Sequence, residues 1–168
     1  MATIRCFDED GKAIPVAPEA ITFSPAVYGI FIENNQVLLI PHPRTNRWEL
    51  PGGLLTSTNT PPQAVRYHFR EITGITPVLG PMVYLEERYI IDNSRRAWHL
   101  TAVYYALSRP PLNATTLAEI ENNQNFSFVP LIAITRQNTQ FGYDAIQACK
   151  LHLGLKEPQP LFMPPKSI

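Results

Sequence analysis

The sequence carries no surplus of either charge, almost no cysteine and no apolar run of membrane-spanning length. Lys plus Arg and Asp plus Glu each total 14 in 168 residues. Non-specific nucleic-acid binding relies on a basic excess that releases counterions from phosphates, so no nucleic-acid partner is expected. The same balance gives little electrostatic protection against self-association, and a homodimer is compatible with it. Cys6 and Cys149 are the only cysteines, so no metal-binding or redox spacing exists. Two free buried thiols are the ordinary reading, with a disulfide between them as the alternative. Arg5, Asp8, Glu9 and Asp10 stand where a secretion signal would need an apolar core. No segment approaches the length of a membrane helix. A cytoplasmic protein without a membrane partner is the expectation.

What is present is a folded-protein composition, 45% hydrophobic and 10% aromatic, in a chain of one-domain length. The organisation reads as an N-terminal hairpin extension over 1–24, a main domain over 25–155 and a Pro-rich tail over 156–168. That tail holds Pro158, Pro160, Pro164 and Pro165 and offers Leu161, Phe162 and Met163 to a neighbouring subunit. Thr3–Cys6 and Ala13–Val16 flank Asp8-Glu9-Asp10-Gly11, a turn rather than a calcium loop because the required downstream glutamate is missing. Ala26–Glu33 and Val37–Ile40 form a second hairpin about Asn34-Asn35, and Arg47–Leu50 a short strand. Val83–Ile91 and Ala97–Leu107 are long strands around Asp92-Asn93-Ser94-Arg95. Residues 110–125 read as a loop with a helical turn near Leu117–Ile120. Phe126–Leu131 then forms a late strand, and Tyr143–Leu153 a closing helix with Ile146, Cys149, Lys150 and Leu153 at helical spacing.

One helix has unusually explicit ends. Thr60 is a good N-cap, Gln63 completes a capping box, Pro61 occupies the first turn, and Gly74 can close the C-terminus in the left-handed conformation. Val65, Phe69 and Ile72 share the arc expected to face the core. Ala64, Tyr67, His68 and Glu71 share another, expected to face a cleft.

Trp48-Glu49-Leu50-Pro51-Gly52-Gly53, followed at fixed distance by Phe69 and Gly74-Ile75, resembles the Nudix box. The resemblance implies an α/β fold, a Nudix-type α/β/α sandwich with a mixed sheet. It also implies a metal-dependent pyrophosphohydrolase acting on acid anhydrides, in which helix glutamates hold Mg²⁺ or Mn²⁺. The frame from Gly53 to Ile75 matches, but the chemical positions do not. Asn59 replaces the first Glu, Tyr67-His68 replace Arg-Glu, and Glu71-Ile72 replace Glu-Glu. The salt bridge that the resemblance implies between positions 59 and 67 has lost both partners, so no buried charge is left alone.

Mg²⁺ needs oxygen ligands in near-octahedral geometry, and of four box carboxylates only Glu71 remains. His68, one turn away, suits softer transition metals. Glu71 and His68 are therefore the candidate metal ligands. Glu71 and Glu87 are the candidate catalytic carboxylates, Glu87 being the odd member of an apolar strand face. The alternative for Glu87 is a twisted strand end, or a surface partner such as Arg88 or Arg96, with Glu86 the competitor on the opposite face. Arg44 and Arg47 lead into the cleft and present guanidinium forks to phosphates. With Gly52, Gly53 and Tyr67, whose ring could stack on a base, they form the ligand-binding set. Glu49 is read as a surface strand residue, with a cleft position as the alternative.

Two readings of function follow. The leading one is a Nudix-superfamily protein with a degenerate box, weak or inactive as a pyrophosphohydrolase, that keeps a nucleotide-like ligand or an interaction role. The alternative is a divergent metal-dependent hydrolase of nucleoside diphosphates linked to another moiety X.

Overall fold

The computed structural model describes residues 1–111 and 125–155. The turn expected at Leu117–Ile120 and the Pro-rich tail over 156–168 lie outside the described residues. The strands are β1 (Ile4–Phe7), β2 (Ala13–Val16), β3 (Ile21–Glu33), β4 (Gln36–Pro41), β5 (Trp48–Glu49), β6 (Gly52–Leu54), β7 (Val78–Ile91), β8 (Ala97–Ser108) and β9 (Ser127–Pro130). The helices are α1 (Pro61–Thr73) and α2 (Tyr143–His152). The sheet runs β2-β1-β7-β8-β3-β4-β5, with β6 also pairing with β3 and β9 with β4. It is mixed: β3 and β8 are parallel from Ile21 opposite Ala97 to Phe31 opposite Leu107, while β7 and β8 are antiparallel.

Strand side chains alternate between faces, and on β3 both faces are covered. Ala26, Tyr28 and Ile30 join a core completed by Leu50, Tyr104 and the α2 residues Ala145, Ile146 and Cys149. Val27 and Phe31 point the other way, into a core with Ala64, Val65 and Phe69 of α1 and Leu107 of β8. Helices thus lie on both sides of the sheet, as the α/β/α expectation held. A third cluster, Cys6 with Ile91 and Ala97, seats the N-terminal hairpin on the same sheet through the β1–β7 pairing.

The local signals act as their chemistry dictates. Asn34 and Asn35 adopt φ of 51° and 58°, the pair of positive values that a two-residue type I′ hairpin needs. In α1 the Thr60 N–H donates to Gln63 Oε1 at 3.0 Å, and Gly74, at φ 75°, donates its N–H to the Arg70 carbonyl at 2.7 Å. Two details differ from the sequence reading. Ala64 is buried among core residues instead of facing a cleft, because its small side chain lets the helix approach β3 and β6; Ile72 is only partly covered. The buried stripe of α2 ends at Cys149, leaving Leu153 exposed.

Cys6 and Cys149 are free and buried in separate clusters, so the disulfide alternative does not hold. Burial pushes both thiols up, Cys149 to about 11. No described helix is long and apolar enough to cross a membrane.

Phe69 has no exposure and stacks on Phe31 with ring centroids 5.5 Å apart. Phe69→Ala is expected to remove about 3–5 kcal/mol of stability, measured by urea unfolding. A loss below about 1 kcal/mol would show that α1 is not pinned by this ring.

Candidate functional site

A cavity of about 320 Å³ opens where four distant parts of the chain meet. The end of β1 supplies Phe7 and the turn after it Asp8 and Glu9; the segment between β4 and β5 supplies His42, Arg44 and Arg47, with Glu49 from β5. Strand β7 supplies Arg88 and Ile90, and the approach to α2 supplies Gln140 and Phe141. Most of the lining side chains are polar or charged, with Phe7, Ile90, Ile91 and Phe141 as apolar patches, and a concave site with convergent polar groups is a candidate for a small ligand.

The polar groups are held in fixed orientations. His42 Nδ1 accepts the backbone N–H groups of Arg44 at 3.2 Å and Thr45 at 3.0 Å. With Nδ1 accepting, the ring hydrogen belongs on Nε2, which lies 3.7 Å from Glu49 Oε1 and 3.9 Å from Glu9 Oε1. Gln140 is clamped at both ends of its amide: Nε2 donates to the Glu9 carbonyl at 2.8 Å, and Oε1 accepts from the Thr45 hydroxyl at 3.1 Å. Its backbone N–H reaches the Trp48 carbonyl at 2.9 Å, tying this loop to β5.

Arg88 lies with its guanidinium carbon 3.5 Å above the centroid of Phe141, whose ring meets Tyr28 edge-on at 5.2 Å. The Arg88 side chain is 15% exposed, and its Nε is 3.9 Å from Glu86, beyond hydrogen-bond reach. Its Nη1 is buried without a hydrogen-bond partner among the described residues. A buried charged donor left unpaired is costly, and beside a cavity it is suited to an anion.

The carboxylates differ sharply. Burial pushes Glu49 above its usual range, against the opposing pull of His42 and Arg88. Hydrogen bonding to Arg44 holds Glu9 below its usual range. Arg44 meets Glu9 as a fork, with Nε to Oε2 at 2.8 Å and Nη2 to Oε1.

The sequence-derived candidates divide between the two faces of the sheet. Arg44 and Arg47 line the cavity. Glu49, expected at the surface, lines it too, with its side chain 20% exposed. Tyr67, His68, Glu71 and Glu87 do not line it, nor do Gly52 and Gly53. Gly52 pairs with Tyr28 across β6 and β3. Gly53 gives room to His68, for a Cβ there would lie 2.8 Å from the imidazole Cε1. His68 Nε2 is 3.1 Å from the Leu54 carbonyl oxygen. Tyr67 is 56% exposed and meets His68 edge-on at 5.7 Å, while Glu71 is an exposed helix residue.

Glu87 is on the face away from Arg88, as alternation requires. It lies 2.5 Å from His99 Nε2 and accepts from the Thr101 hydroxyl at 3.0 Å, so its partners are neither of the arginines considered from sequence. Glu86, its neighbour on the other face, accepts the Tyr104 hydroxyl hydrogen. His42, Arg88, Gln140, Phe141 and Glu9 carried no motif. The trace available in the sequence was the Arg88–Glu86 alternation beside Glu87.

The box helix does not suit Mg²⁺. Its nitrogen donor His68 is engaged with Leu54, Ile72 carries no ligand atom, and Glu71 remains alone. Among the described residues no three His, Cys, Asp or Glu side chains converge as a metal site.

The architecture is that of the Nudix hydrolases. The MutT protein of Methanosarcina mazei Go1 superimposes with a TM-score of 0.57 at 19% identity, covering 79% of this chain and 96% of its own. A UDP-X diphosphatase matches at TM-score 0.53 and 13% identity over 80% of this chain, and NrtR of Shewanella oneidensis, solved with a 27mer DNA, at 0.55 and 18% over 76%. The alignments span only 65% and 61% of those two longer chains. No protein-family model and no curated protein matches the sequence. At these identities the likeness establishes the Nudix fold.

Because burial raises Glu49 above its unfolded value near 4.5, its contribution to stability is full below that pH and is lost as pH climbs through the folded-state value. Glu49→Gln is therefore expected to be more stable than wild type near neutral pH, with the gap closing towards about pH 4. Urea midpoints across that range test it; a variant less stable than wild type at neutrality would contradict the assignment.

Proposed function

We propose that this Nudix-fold chain binds a small anionic, nucleotide-like ligand in the cavity between the N-terminal turn and β7. In this reading the box helix no longer supports Mg²⁺-dependent cleavage of a phosphoanhydride. The observation that carries it is Arg88, whose buried Nη1 has no hydrogen-bond partner among the described residues, at the wall of a cavity that Arg44 and Arg47 also line. Guanidinium groups match phosphate oxygens in a planar fork, and the apolar patches from Phe7, Ile90 and Phe141 suit a flat organic moiety. The UDP-X diphosphatase that shares this fold makes a nucleoside diphosphate derivative the ligand class to try first.

The chemistry of the box supports the loss of hydrolysis. A water molecule attacks phosphorus readily when a cation neutralises the oxygens and activates the water. Asn59, Tyr67, His68 and Ile72 supply no carboxylate for that cation, and the His68 ring is lodged between Gly53 and the Leu54 carbonyl.

Calorimetry with ADP and with a nucleotide sugar, run beside turnover assays in Mg²⁺, Mn²⁺ and Zn²⁺, tests this reading. Binding without turnover is expected. Arg88→Gln should weaken it about tenfold or more, since a hydrogen bond to a charged group contributes roughly 1.5–3 kcal/mol. Metal-dependent turnover abolished by Glu71→Gln would establish the divergent nucleoside diphosphate-X hydrolase instead.

The helix frame yields a second test. Tyr67→Arg, His68→Glu and Ile72→Glu together should create a Mg²⁺ affinity absent from wild type, read by calorimetry. Failure of the triple variant to gain affinity would mean that the loop from Gly53 to Thr60 has also lost its cation geometry.

A further inference from the structure

The N-terminal turn does more than wall the cavity. Glu9 reaches from the hairpin between β1 and β2 to the Arg44 guanidinium, meeting it through two nitrogens as a phosphate would. The same carboxylate lies 3.9 Å from His42 Nε2, and the Glu9 backbone carbonyl accepts from Gln140. One residue thus engages three others, from two of the segments that line the cavity. The Arg44 side chain is 46% exposed and that of Glu9 28%, so solvent reaches the pair and competition by a dissolved anion is not blocked by packing.

We propose that Glu9 is a specificity-determining residue of the cavity, a tethered carboxylate that holds Arg44 until a phosphate-bearing ligand displaces it. This rests on the reading that the cavity takes an anion. The tether matters because a group held beside its partner competes at a high effective concentration. The hairpin is fixed by antiparallel pairing from Ile4 opposite Val16 to Phe7 opposite Ala13, and by the Asp8 carboxylate, which accepts the Asp10 and Lys12 N–H groups. A neutral ligand gains nothing from Arg44 and leaves the pair in place. A doubly charged phosphate offers Arg44 a stronger partner and is repelled by Glu9 until the turn yields. Glu9 therefore selects against weak or singly charged anions, which cannot offset the loss of the internal pair. Asp8, Glu49 and Asp92 also border the cavity and add to that selection, while Arg47 and Arg88 oppose it.

The test uses inorganic pyrophosphate, ADP and adenosine as probes, with calorimetry on the full chain and on Glu9→Gln and Glu9→Asp. Glu9→Gln should bind pyrophosphate and ADP about fivefold tighter than wild type, with adenosine unchanged. Glu9→Asp, which keeps the charge, should stay within about twofold of wild type. In wild type the Arg44 Nε–H resonance should shift on adding pyrophosphate as the internal carboxylate is replaced. If wild type binds ADP but Glu9→Gln binds it no tighter, or tightens adenosine equally, Glu9 is a wall and not a competitor. If neither protein binds ADP or pyrophosphate, the cavity does not take anions, and the underlying reading falls with it.

Discussion

Strand β3 is closed to water on both faces over its central stretch, and that constraint organises the molecule. Ala26, Val27, Ile30 and Phe31 have at most 1% of their surface exposed. Because the strand pleats, successive residues must satisfy two different cores, one under α1 and one under α2. A shift of one residue would exchange Tyr28 and Ile30 for Val27 and Phe31 and ruin both. The edge of β3 opposite β8 pairs with β6, which leads into α1, and further along with β4, which leads to β5.

The two faces carry separate chemistries. On the α1 side lie a capped helix, a glycine turn, and an imidazole resting on that turn. On the α2 side Arg88 lies over Phe141, which meets Tyr28 edge-on, and His42 and Gln140 are oriented by hydrogen bonds to the backbone and to Thr45. Groups held this way lose little freedom when a ligand arrives, which is how a modest pocket can bind well. Glu9 and Arg44 are the exception, joined at the rim by side chains alone.

How much of this was readable in the sequence depends on how local the cause is. The ends of α1 were legible because Thr60, Pro61, Gln63 and Gly74 act within one turn of themselves. The Asn34-Asn35 turn was legible because its backbone angles belong to those two residues. The starts of β3 and β7 were not: local rules treat Pro25, Gly80 and Pro81 as breaks. In the fold the Pro25 carbonyl still accepts from Leu55, and Pro81 sits at an irregularity between Leu79 and Met82 where no ladder donor is required. The cavity was largely illegible, since Glu9, His42, Arg88 and Gln140 meet only after the sheet has formed. The box points to Glu71 and His68, whereas among the described residues the buried donor without a hydrogen-bond partner beside the cavity is Arg88 Nη1.

The parallel pairing of β3 with β8 has a consequence for synthesis on the ribosome. The hairpin of β3 with β4 closes through a two-residue turn, but the edge of Ile21 to Phe31 away from β6 is filled only by Ala97 to Leu107. More than half of the polypeptide must therefore emerge before this strand gains its long partner. Until then a very apolar segment has an open edge, the situation in which nascent chains associate wrongly. Translation speed through β7 and β8 thus bears on yield, and a pause placed before Ala97 would lengthen the vulnerable interval.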